Sequence, residues 1–265
     1  MIAIASLAQI PDSGLLAAEN KILINKEDCR IENSRIEFNG KNNVLVVEDG
    51  VIIKNSKIRF AGDSGLVVLR KSRFPLYLNL TTYSQSCVYI GREYYLNGTL
   101  NIISSEANHI LIGDFCLFSF GIWIRNSDAH PIFDEISKLR INPGKTIVVG
   151  DHVWIGQNSL MLKGCQIGSG SVVGAASCIS NKVVGCNEIW AGNPARKLKS
   201  NIVWQGNCVH SLIKHNITLS DEDANKYYFD KDEKMSIFLD FLKMQSLEDK
   251  LRYMYCFDMV RCNYL

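Results

Sequence analysis

Several features that mark other protein classes are absent from this sequence. No uninterrupted apolar run in the 265 residues approaches the ~18 residues that a membrane-spanning helix needs. The nine cysteines lie at scattered spacings without a C-x-x-C pair, which argues against zinc sites and a disulfide framework. A net charge of +2 indicates neither a nucleic-acid partner nor an acidic lipid surface. We therefore expect a cytoplasmic protein with reduced thiols, no transmembrane segment and no metal.

What the sequence does contain is a period of six between residues 149 and 183. An aliphatic side chain recurs at every sixth position, at Val149, Ile155, Met161, Ile167, Val173 and Ile179. Six is the period of neither an α-helix nor a plain β-strand. It is typical of short extended segments joined at corners, three of which close a triangular coil. Stacked coils of this kind bury one continuous core.

A second repeat of 22 residues precedes the hexads. The text IENSRIEFNG at 31–40 recurs as IKNSKIRFAG at 53–62, and 22 equals three hexads plus four residues. Together the two repeats predict seven coils with 21 inward positions, of which only Arg30 is not apolar. In chain order they are Ile24, Arg30, Ile36, Val46, Ile52, Ile58, Val68, Phe74, Leu80, Ile90, Leu96, Ile102, Ile112, Phe118, Ile124, Val149, Ile155, Met161, Ile167, Val173 and Ile179. A pattern this regular indicates an all-β solenoid.

The residues inserted between hexads all fall at one corner of the predicted coils. The extra four residues of each 22-residue coil lie between its third segment and the next coil's first segment. At the same corner, residues 125–146 form the only long excursion from the solenoid. Long loops on a rigid scaffold are where chemistry usually resides.

The two ends of the chain differ from the repeats. Residues 1–20 lack the basic start of a secretory signal, and we expect them to form an N-terminal cap segment. The predicted solenoid domain covers 21–200. In the C-terminal extension, 201–265, Ser220 and Ser246 each precede acidic residues in the manner of helix N-caps. Apolar residues follow at helical spacing, so we predict two or three helices that pack on the solenoid or on a neighbouring subunit.

His130 is the leading candidate for a catalytic group. It lies in the long excursion, between Asp128 and Asp134. An acceptor hydroxyl or amine must lose a proton as it attacks an acyl group, and imidazole titrates near neutral pH. Either aspartate could fix the imidazole tautomer. The alternative is a surface histidine in a polar loop.

Three stretches resemble the hexapeptide-repeat acyltransferases. The stretch IGQNSLMLKGCQIGSGSVVGAAS, the exit AGNPARKLK and the loop SDAHPIFD are similar to sugar O-acetyltransferases of that superfamily, above all those that act on polysialic acid and other capsular polysaccharides. The resemblance implies a left-handed parallel β-helix of about seven coils, although the general rule for β crossovers favours the right hand. It also implies acetyl-CoA as co-substrate and a homotrimer with the site at the subunit interface.

The resemblance assigns roles to particular residues. It implies that His130 is the general base and that Trp154 lines the pocket where thioester and sugar meet. Ala175 and Ser180 match positions that meet the pantetheine arm of the coenzyme. Arg196 and Lys199 match cations near its phosphates, as the chemistry of phosphate recognition favours. The alternatives are an apolar surface plug for Trp154 and a solvated exit segment for the two cations.

Other mechanisms and functions remain open at this point. Cys165 and Cys178 are candidate acyl-carrying nucleophiles, but Cys165 falls on an inward row, as a packing thiol would. No G-x-S-x-G elbow is present, so direct transfer to the acceptor is the simpler mechanism. The favoured acceptor is a hydroxyl of a bacterial surface carbohydrate such as a sialic-acid-containing capsule or lipooligosaccharide. The alternatives are an N-acetyltransferase acting on an amino-sugar nucleotide and a non-catalytic trimeric binding protein.

Overall fold

The molecule is a parallel β-solenoid in which each coil passes through three flat faces. The computed structural model describes residues 2–5, 19–24, 27–210 and 217–256, so most of the predicted cap segment 1–20 lies outside the described residues. Strands of successive coils pair in parallel throughout the solenoid. The predicted all-β solenoid of about seven coils is therefore confirmed.

The strands are short, and most coils contribute one to each face. In chain order they are β1 (Ile2–Ala5), β2 (Asn20–Ile24), β3 (Arg30–Glu32), β4 (Arg35–Phe38), β5 (Val44–Val47), β6 (Ile52–Lys54), β7 (Lys57–Phe60), β8 (Leu66–Leu69), β9 (Leu78–Thr82), β10 (Cys87–Ile90), β11 (Tyr95–Leu96) and β12 (Leu100–Ser104). They continue as β13 (Ile110–Ile112), β14 (Leu117–Phe118), β15 (Trp123–Arg125), β16 (Ile147–Val149), β17 (Trp154–Ile155), β18 (Leu160–Leu162), β19 (Gln166–Ile167), β20 (Val172–Val173), β21 (Cys178–Ile179), β22 (Val183–Val184), β23 (Ile189–Gly192) and β24 (Ala195–Lys199).

These strands form three faces, which we number in the order in which the chain visits them. Face one stacks β1, β2, β5, β8, β10, β13, β16, β19 and β22. Face two begins with the pair β3 and β6 and continues with β11, β14, β17, β20, β23 and β24. Face three stacks β4, β7, β9, β12, β15, β18 and β21. The corner between faces three and one, which we call the loop edge, holds the extra residues of every long coil, as predicted.

The core inside the prism matches the sequence repeat most closely on face three. There Ile36, Ile58, Leu80, Ile102 and Ile124 follow one another in register, and all five belong to the core or pack against it. Met161 and Ile179 continue the same column. Equivalent residues stack at fixed height because parallel pairing joins each strand to the next coil. The predicted inward positions are confirmed along this entire face.

On face one two predicted inward positions are wrong. Val46 and Val68 point away from the prism interior and join a separate cluster on its outer side. The inward residues are Val47 and Leu69, which pair with each other in adjacent coils. The repeat predicts a spacing of 22 residues between inward positions on this face. Ile24 and Val47 lie 23 residues apart instead, and Leu69 and Ile90 lie 21 apart. Every residue of β5 and β8 is apolar and buried, so no alternation of apolar and polar residues shows which side faces inward.

Three further predicted inward positions are wrong on face two. In the first coils the residues that point inward lie one or two positions after the predicted ones. Ile53 and Leu76 occupy the core, and a bridge joins them. Ile52 is only partly buried, and the Phe74 ring packs edge-on against Tyr95 outside the core. Arg30 pairs with Ile52, so it belongs to the same outward row. The single charged residue of the predicted core is therefore a solvent-facing arginine.

Three helices follow the solenoid, in agreement with the sequence. They are α1 (Asp221–Tyr227), α2 (Glu233–Leu242) and α3 (Leu247–Cys256). Ser220 accepts a hydrogen bond from the Asp223 N–H, and Ser246 accepts one from the Asp249 N–H, so both predicted N-caps are confirmed. In the part of the chain that the structure describes, no helix has the length and apolarity to cross a membrane.

Helices α2 and α3 cover the outer side of face one. Phe238, Phe241 and Leu251 are buried against its outward row, which includes Tyr89 and Leu111. The Tyr89 and Phe238 rings meet edge to face at 5.6 Å. The prism therefore has two apolar cores separated by one layer of strands, as expected for a sheet buried on both sides.

A buried lysine ties α2 to the corner between faces one and two. The Lys234 ammonium lies 2.7 Å from an Asp114 carboxylate oxygen and 3.6 Å from one of Asp151. The two carboxylates raise the pKa of Lys234, so it remains charged despite its burial. The N-cap residue of α2, Asp232, also accepts hydrogen bonds from the Ser169 N–H and hydroxyl. Such a buried pair orients the helix, and removing one partner would be strongly destabilising.

The packing of α3 on face one also predicts a pH dependence of stability. Burial lowers the pKa of His109 to about 3. The native ring therefore stays neutral while the unfolded chain takes up a proton below pH 6.5. We expect this group alone to reduce the free energy of unfolding between pH 6.5 and 3, by at most about 1.4 kcal/mol per pH unit. Denaturant unfolding of wild type and His109→Asn at pH 7.5, 6, 5 and 4 should show a shallower decline in the variant, and parallel declines would contradict this.

Candidate active site

The long excursion leaves the prism at the loop edge and returns to the next coil. It spans 126–146, one residue less than predicted, because Arg125 is the last residue of β15. Its tip closes on itself: the Asp134 N–H donates to the Leu139 carbonyl at 2.9 Å, and the Ile141 N–H donates to the Ile132 carbonyl at 2.9 Å. The excursion is thus an ordered hairpin-like loop.

Glu106, in the preceding corner of the loop edge, holds both arms of this loop. Its carboxylate accepts two hydrogen bonds from the Arg140 guanidinium, each of 2.9 Å, and one of 3.0 Å from the Gly144 N–H. The Ser127 hydroxyl donates to the same carboxylate. Arg140, followed by the other donors, lowers the pKa of Glu106 to about 2. The loop base is therefore held by a charge-assisted network at all physiological pH values.

His130 lies exposed on the first arm of the loop. Its backbone carbonyl accepts a hydrogen bond of 2.8 Å from the Asn142 amide, which also donates to Asp128 at 3.0 Å. Asp128 is in turn paired with Lys163, and Asp134 accepts from the backbone and hydroxyl of Ser137. Among the described residues, neither aspartate bonds to the imidazole, so the predicted tautomer-fixing partner is wrong. Both carboxylates serve instead to shape the loop.

Trp154 begins β17 on face two, with 40% of its surface exposed. Its indole N–H lies 3.5 Å from the Ser119 hydroxyl, and its ring centroid lies 6.0 Å from that of Trp204. The Trp204 ring stacks on His152 at 3.9 Å, and Tyr227 stacks on His152 at 4.8 Å.

The sequence did not point to this stack of aromatic rings behind Trp154. Trp204 donates its indole N–H to the His152 carbonyl, and His152 Nε2 lies 3.0 Å from the Trp204 carbonyl. Burial lowers the pKa of His152, so the ring is neutral. The only sequence signal was a short apolar stretch, Ile202 to Trp204, just after β24, and no periodicity connects it to Trp154.

A single chain does not bring His130 and Trp154 together. His130 lies at the loop edge, the corner between faces three and one, whereas Trp154 lies on face two. In a triangular section face two is opposite that corner. Any pocket that uses both residues therefore requires a second chain.

The two residues predicted to meet the pantetheine arm also lie at different corners. Ala175 follows β20, at the corner between faces two and three, and is exposed. Ser180 follows β21 at the loop edge. Its neighbour Asn181 accepts a hydrogen bond of 2.8 Å from Lys145, at the end of the excursion. The structure thus brings Ser180, but not Ala175, to the edge that carries His130.

Arg196 and Lys199 lie on the antiparallel strand β24, which completes face two. The row that starts at Trp154 continues through Val172 and Ile189 to Lys199 in register. Both cations are exposed, and neither forms an ion pair with any described residue. The intervening Lys197, in contrast, is paired with Glu188 at 3.0 Å. Face two therefore carries the Trp154 indole and, on β24, two exposed cations without an ion pair among the described residues.

Burial disfavours the thiolate at both cysteines that the sequence offered as nucleophiles. Cys165 lies in the core, where burial raises the pKa of its thiol to about 12, and burial also raises the pKa of Cys178. A neutral buried thiol is a packing group, as predicted. Seven cysteines are free: Cys29, Cys87, Cys116, Cys165, Cys178, Cys186 and Cys208. Among the side chains that the structure describes, no cluster of three or more histidine, cysteine, aspartate or glutamate residues could hold a metal ion.

The fold is similar to that of two solved acetyltransferases. The polySia-specific acetyltransferase NeuO superposes with a TM-score of 0.63 at 30% identity, over 80% of this chain and 91% of that chain. The polysialic acid O-acetyltransferase OatWY superposes with a TM-score of 0.65 at 26% identity, over 86% of this chain and 100% of that chain. No protein-family profile matches the sequence.

Curated relatives match a shorter part of the chain. The polysialic acid O-acetyltransferase of Neisseria meningitidis is 33% identical over 125 residues, which is 47% of this chain and 57% of the relative. The protein of the same name from Escherichia coli O1:K1 / APEC is 35% identical over 119 residues, 45% of this chain and 38% of the relative. This chain thus spans about half, or less, of these relatives' length. Repeat pattern, solenoid and the match to most of NeuO together show that the chain belongs to the hexapeptide-repeat acetyltransferase superfamily.

Proposed function

We propose that the protein is an acetyl-CoA-dependent O-acetyltransferase that acts on a hydroxyl of a bacterial surface carbohydrate. The observation that carries this proposal is an exposed imidazole on an anchored loop, in a chain that matches 91% of an acetyltransferase structure. The names of the similar proteins favour a polysialic acid or another sialic-acid-containing capsular glycan as the acceptor.

In the proposed mechanism His130 is the general base. Its ring nitrogen takes the proton of the acceptor hydroxyl while the oxygen attacks the thioester carbonyl. The carbon–sulfur bond then breaks, and the protonated imidazole gives its proton to the departing thiolate, so that coenzyme A leaves as the thiol. Because burial raises the thiol pKa of both candidate nucleophiles, Cys165 and Cys178, direct transfer is the simpler mechanism. Trp154 would line the pocket, Ala175 and Ser180 would meet the pantetheine arm, and Arg196 and Lys199 would meet the phosphates.

We further propose a homotrimer with the site between subunits. The excursion exposes five large apolar side chains that nothing in the described part of one chain covers: Ile132, Phe133, Ile136, Leu139 and Ile141, with Ile136 89% exposed. Five exposed large apolar residues within ten positions of one loop favour a protein contact there. Helices α2 and α3 already cover face one, so the neighbour would meet the loop through faces two and three. Such packing would bring one subunit's His130 to another subunit's Trp154.

Replacing His130 with alanine should reduce kcat by ~10²–10⁴ because the acceptor hydroxyl would lose its base. The ring has no hydrogen-bond partner among the described residues, so the melting temperature and oligomeric state should not change. Thiol release from acetyl-CoA in the presence of oligosialic acid measures the rate. His210→Ala, an exposed histidine in the C-terminal extension, is the matched control. A His130→Ala rate within twofold of wild type would refute the assignment.

Weakening the loop anchor should lower activity without removing the base. In Glu106→Gln the charge-assisted bonds to Arg140 are lost, and we expect several-fold faster hydrogen exchange in 132–141 and a lower kcat. The pKa of Glu106, lowered to about 2, gives the sign of the pH effect. The Glu106 carboxylate stabilises the loop fully above pH 4.5, and this stabilisation is lost as the pH falls toward 2. Wild type at pH 3 should thus begin to exchange like the variant, and equal exchange in both proteins at pH 7 would contradict the anchor.

The exposed loop surface should be required for assembly. Ile136→Asp combined with Leu139→Asp should convert the trimer to monomers in light scattering and abolish acetyl transfer, because the pocket needs two chains. Ile217→Asp, which changes an equally apolar and exposed residue away from the loop, should remain trimeric and active. A monomeric wild-type protein at micromolar concentration, or a fully active monomeric variant, would disprove the shared site.

A further inference from the structure

A cavity of about 560 Å³ lies between the loop edge of the early coils and the turn that joins α2 to α3. Its wall includes Gln85, Ser86 and Cys87 from the solenoid, together with His109. Glu248 and Lys250 of α3 close the other side. Neither Trp154 nor any residue of the excursion lines the cavity, and the proposed acetyl transfer to a carbohydrate does not use it.

The hydrogen bond between His109 and the strand before it determines the imidazole tautomer. The Cys87 backbone N–H donates to His109 Nδ1 at 3.0 Å. A ring nitrogen that accepts a hydrogen bond carries no proton, so a neutral His109 must carry its proton on Nε2. Flipping the ring would set a carbon against the Cys87 N–H and leave a buried donor without an acceptor, which is costly.

The other ring nitrogen faces Lys250. The Nζ atom of Lys250 lies 3.2 Å from His109 Nε2. An ammonium group has three donors and no acceptor, so it cannot receive the Nε2 proton. An uncharged amine has a lone pair and can accept it. The His109 Nε2–H therefore has an acceptor in Lys250 only when Lys250 is a neutral amine.

The surroundings of Lys250 favour the same state. Burial lowers the pKa of Lys250, and Lys250 is only half-buried. The nearby Cys87 thiol offers no stable counter-charge, because burial raises its pKa to about 12. The Phe241 ring face, 5.9 Å from Nζ, acts in the opposite direction and favours the ammonium. Glu248 lines the same cavity.

We propose that Lys250 is an uncharged, nucleophilic amine whose cavity is an acylation site for small acyl thioesters. In this step Nζ attacks the thioester carbonyl, a nitrogen–carbon bond forms and the carbon–sulfur bond breaks. The amine loses one proton, which is transferred to the leaving thiolate, so the products are an amide and a free thiol. The amide oxygen can accept the Nε2 proton of His109 in place of the amine. The site needs no residue of the excursion.

The first test measures the reactivity of the amine itself. Wild-type protein is trace-labelled with sulfosuccinimidyl acetate at pH 7, and peptide mass spectrometry compares Lys250 with Lys231, an exposed lysine before α2. Each unit by which an amine pKa is lowered raises its free-base fraction about tenfold at this pH. We expect Lys250 to react at least several-fold faster than Lys231. Equal or slower labelling would overturn the proposal.

The second test separates the histidine contact from the acyl donor. In His109→Asn the side-chain oxygen can still accept the Cys87 N–H, but no imidazole faces Lys250, so its labelling should fall to the rate of Lys231. Incubation of wild type with acetyl-CoA should acetylate Lys250, and His130→Ala should leave this acetylation unchanged while carbohydrate acetylation is lost. Fast labelling in His109→Asn would refute the role of the histidine contact. No transfer from acetyl-CoA to wild-type Lys250 would refute the acylation site. Since the readouts differ, failure here is distinguishable from failure of the proposed function.

Discussion

Parallel pairing between successive coils is the constraint on which the rest of the structure depends. Each short strand is too small to be stable alone, and it is held by backbone hydrogen bonds to the coils above and below. Inserted residues can therefore leave only where no pairing is lost, at a corner. The pairing of Ile112 with Val149 continues unbroken although the whole excursion separates them in sequence. A rigid prism with one permissive edge is what allows a long loop to carry an exposed imidazole.

The strands of face one pack on both of their sides. Their inward side chains fill the prism, and their outward side chains pack beneath α2 and α3. The buried Lys234 and its two carboxylates then fix α2 at the adjoining corner. This commits face one to contacts within the chain. Faces two and three, with exposed Trp123 and Trp154, remain available to a neighbouring molecule.

The division of the site between an edge and the opposite face has a functional consequence. A single prism presents the His130 imidazole at one edge and the Trp154 indole with Arg196 and Lys199 on the opposite face, so the proposed pocket would need two chains. The C-terminal extension contributes as well, since Trp204 and Tyr227 enclose His152 two residues before Trp154. Packing of the tail and the position of the Trp154 indole are therefore coupled through one stack of rings.

Periodicity in the sequence by itself determined the solenoid, the corner that takes the insertions, the inward column of face three and the N-caps at Ser220 and Ser246. It also located His130, because an insertion in a regular repeat is a local signal. The tertiary structure decided which side of β5 and β8 faces inward, since both sides are buried and alternation disappears. It also decided that Asp128 bonds to Lys163 and not to the imidazole, and that Glu106 holds Arg140. The contact between His109 and Lys250 joins residues 141 positions apart. Contacts of this kind depend on how distant segments pack, and they leave no period in the sequence.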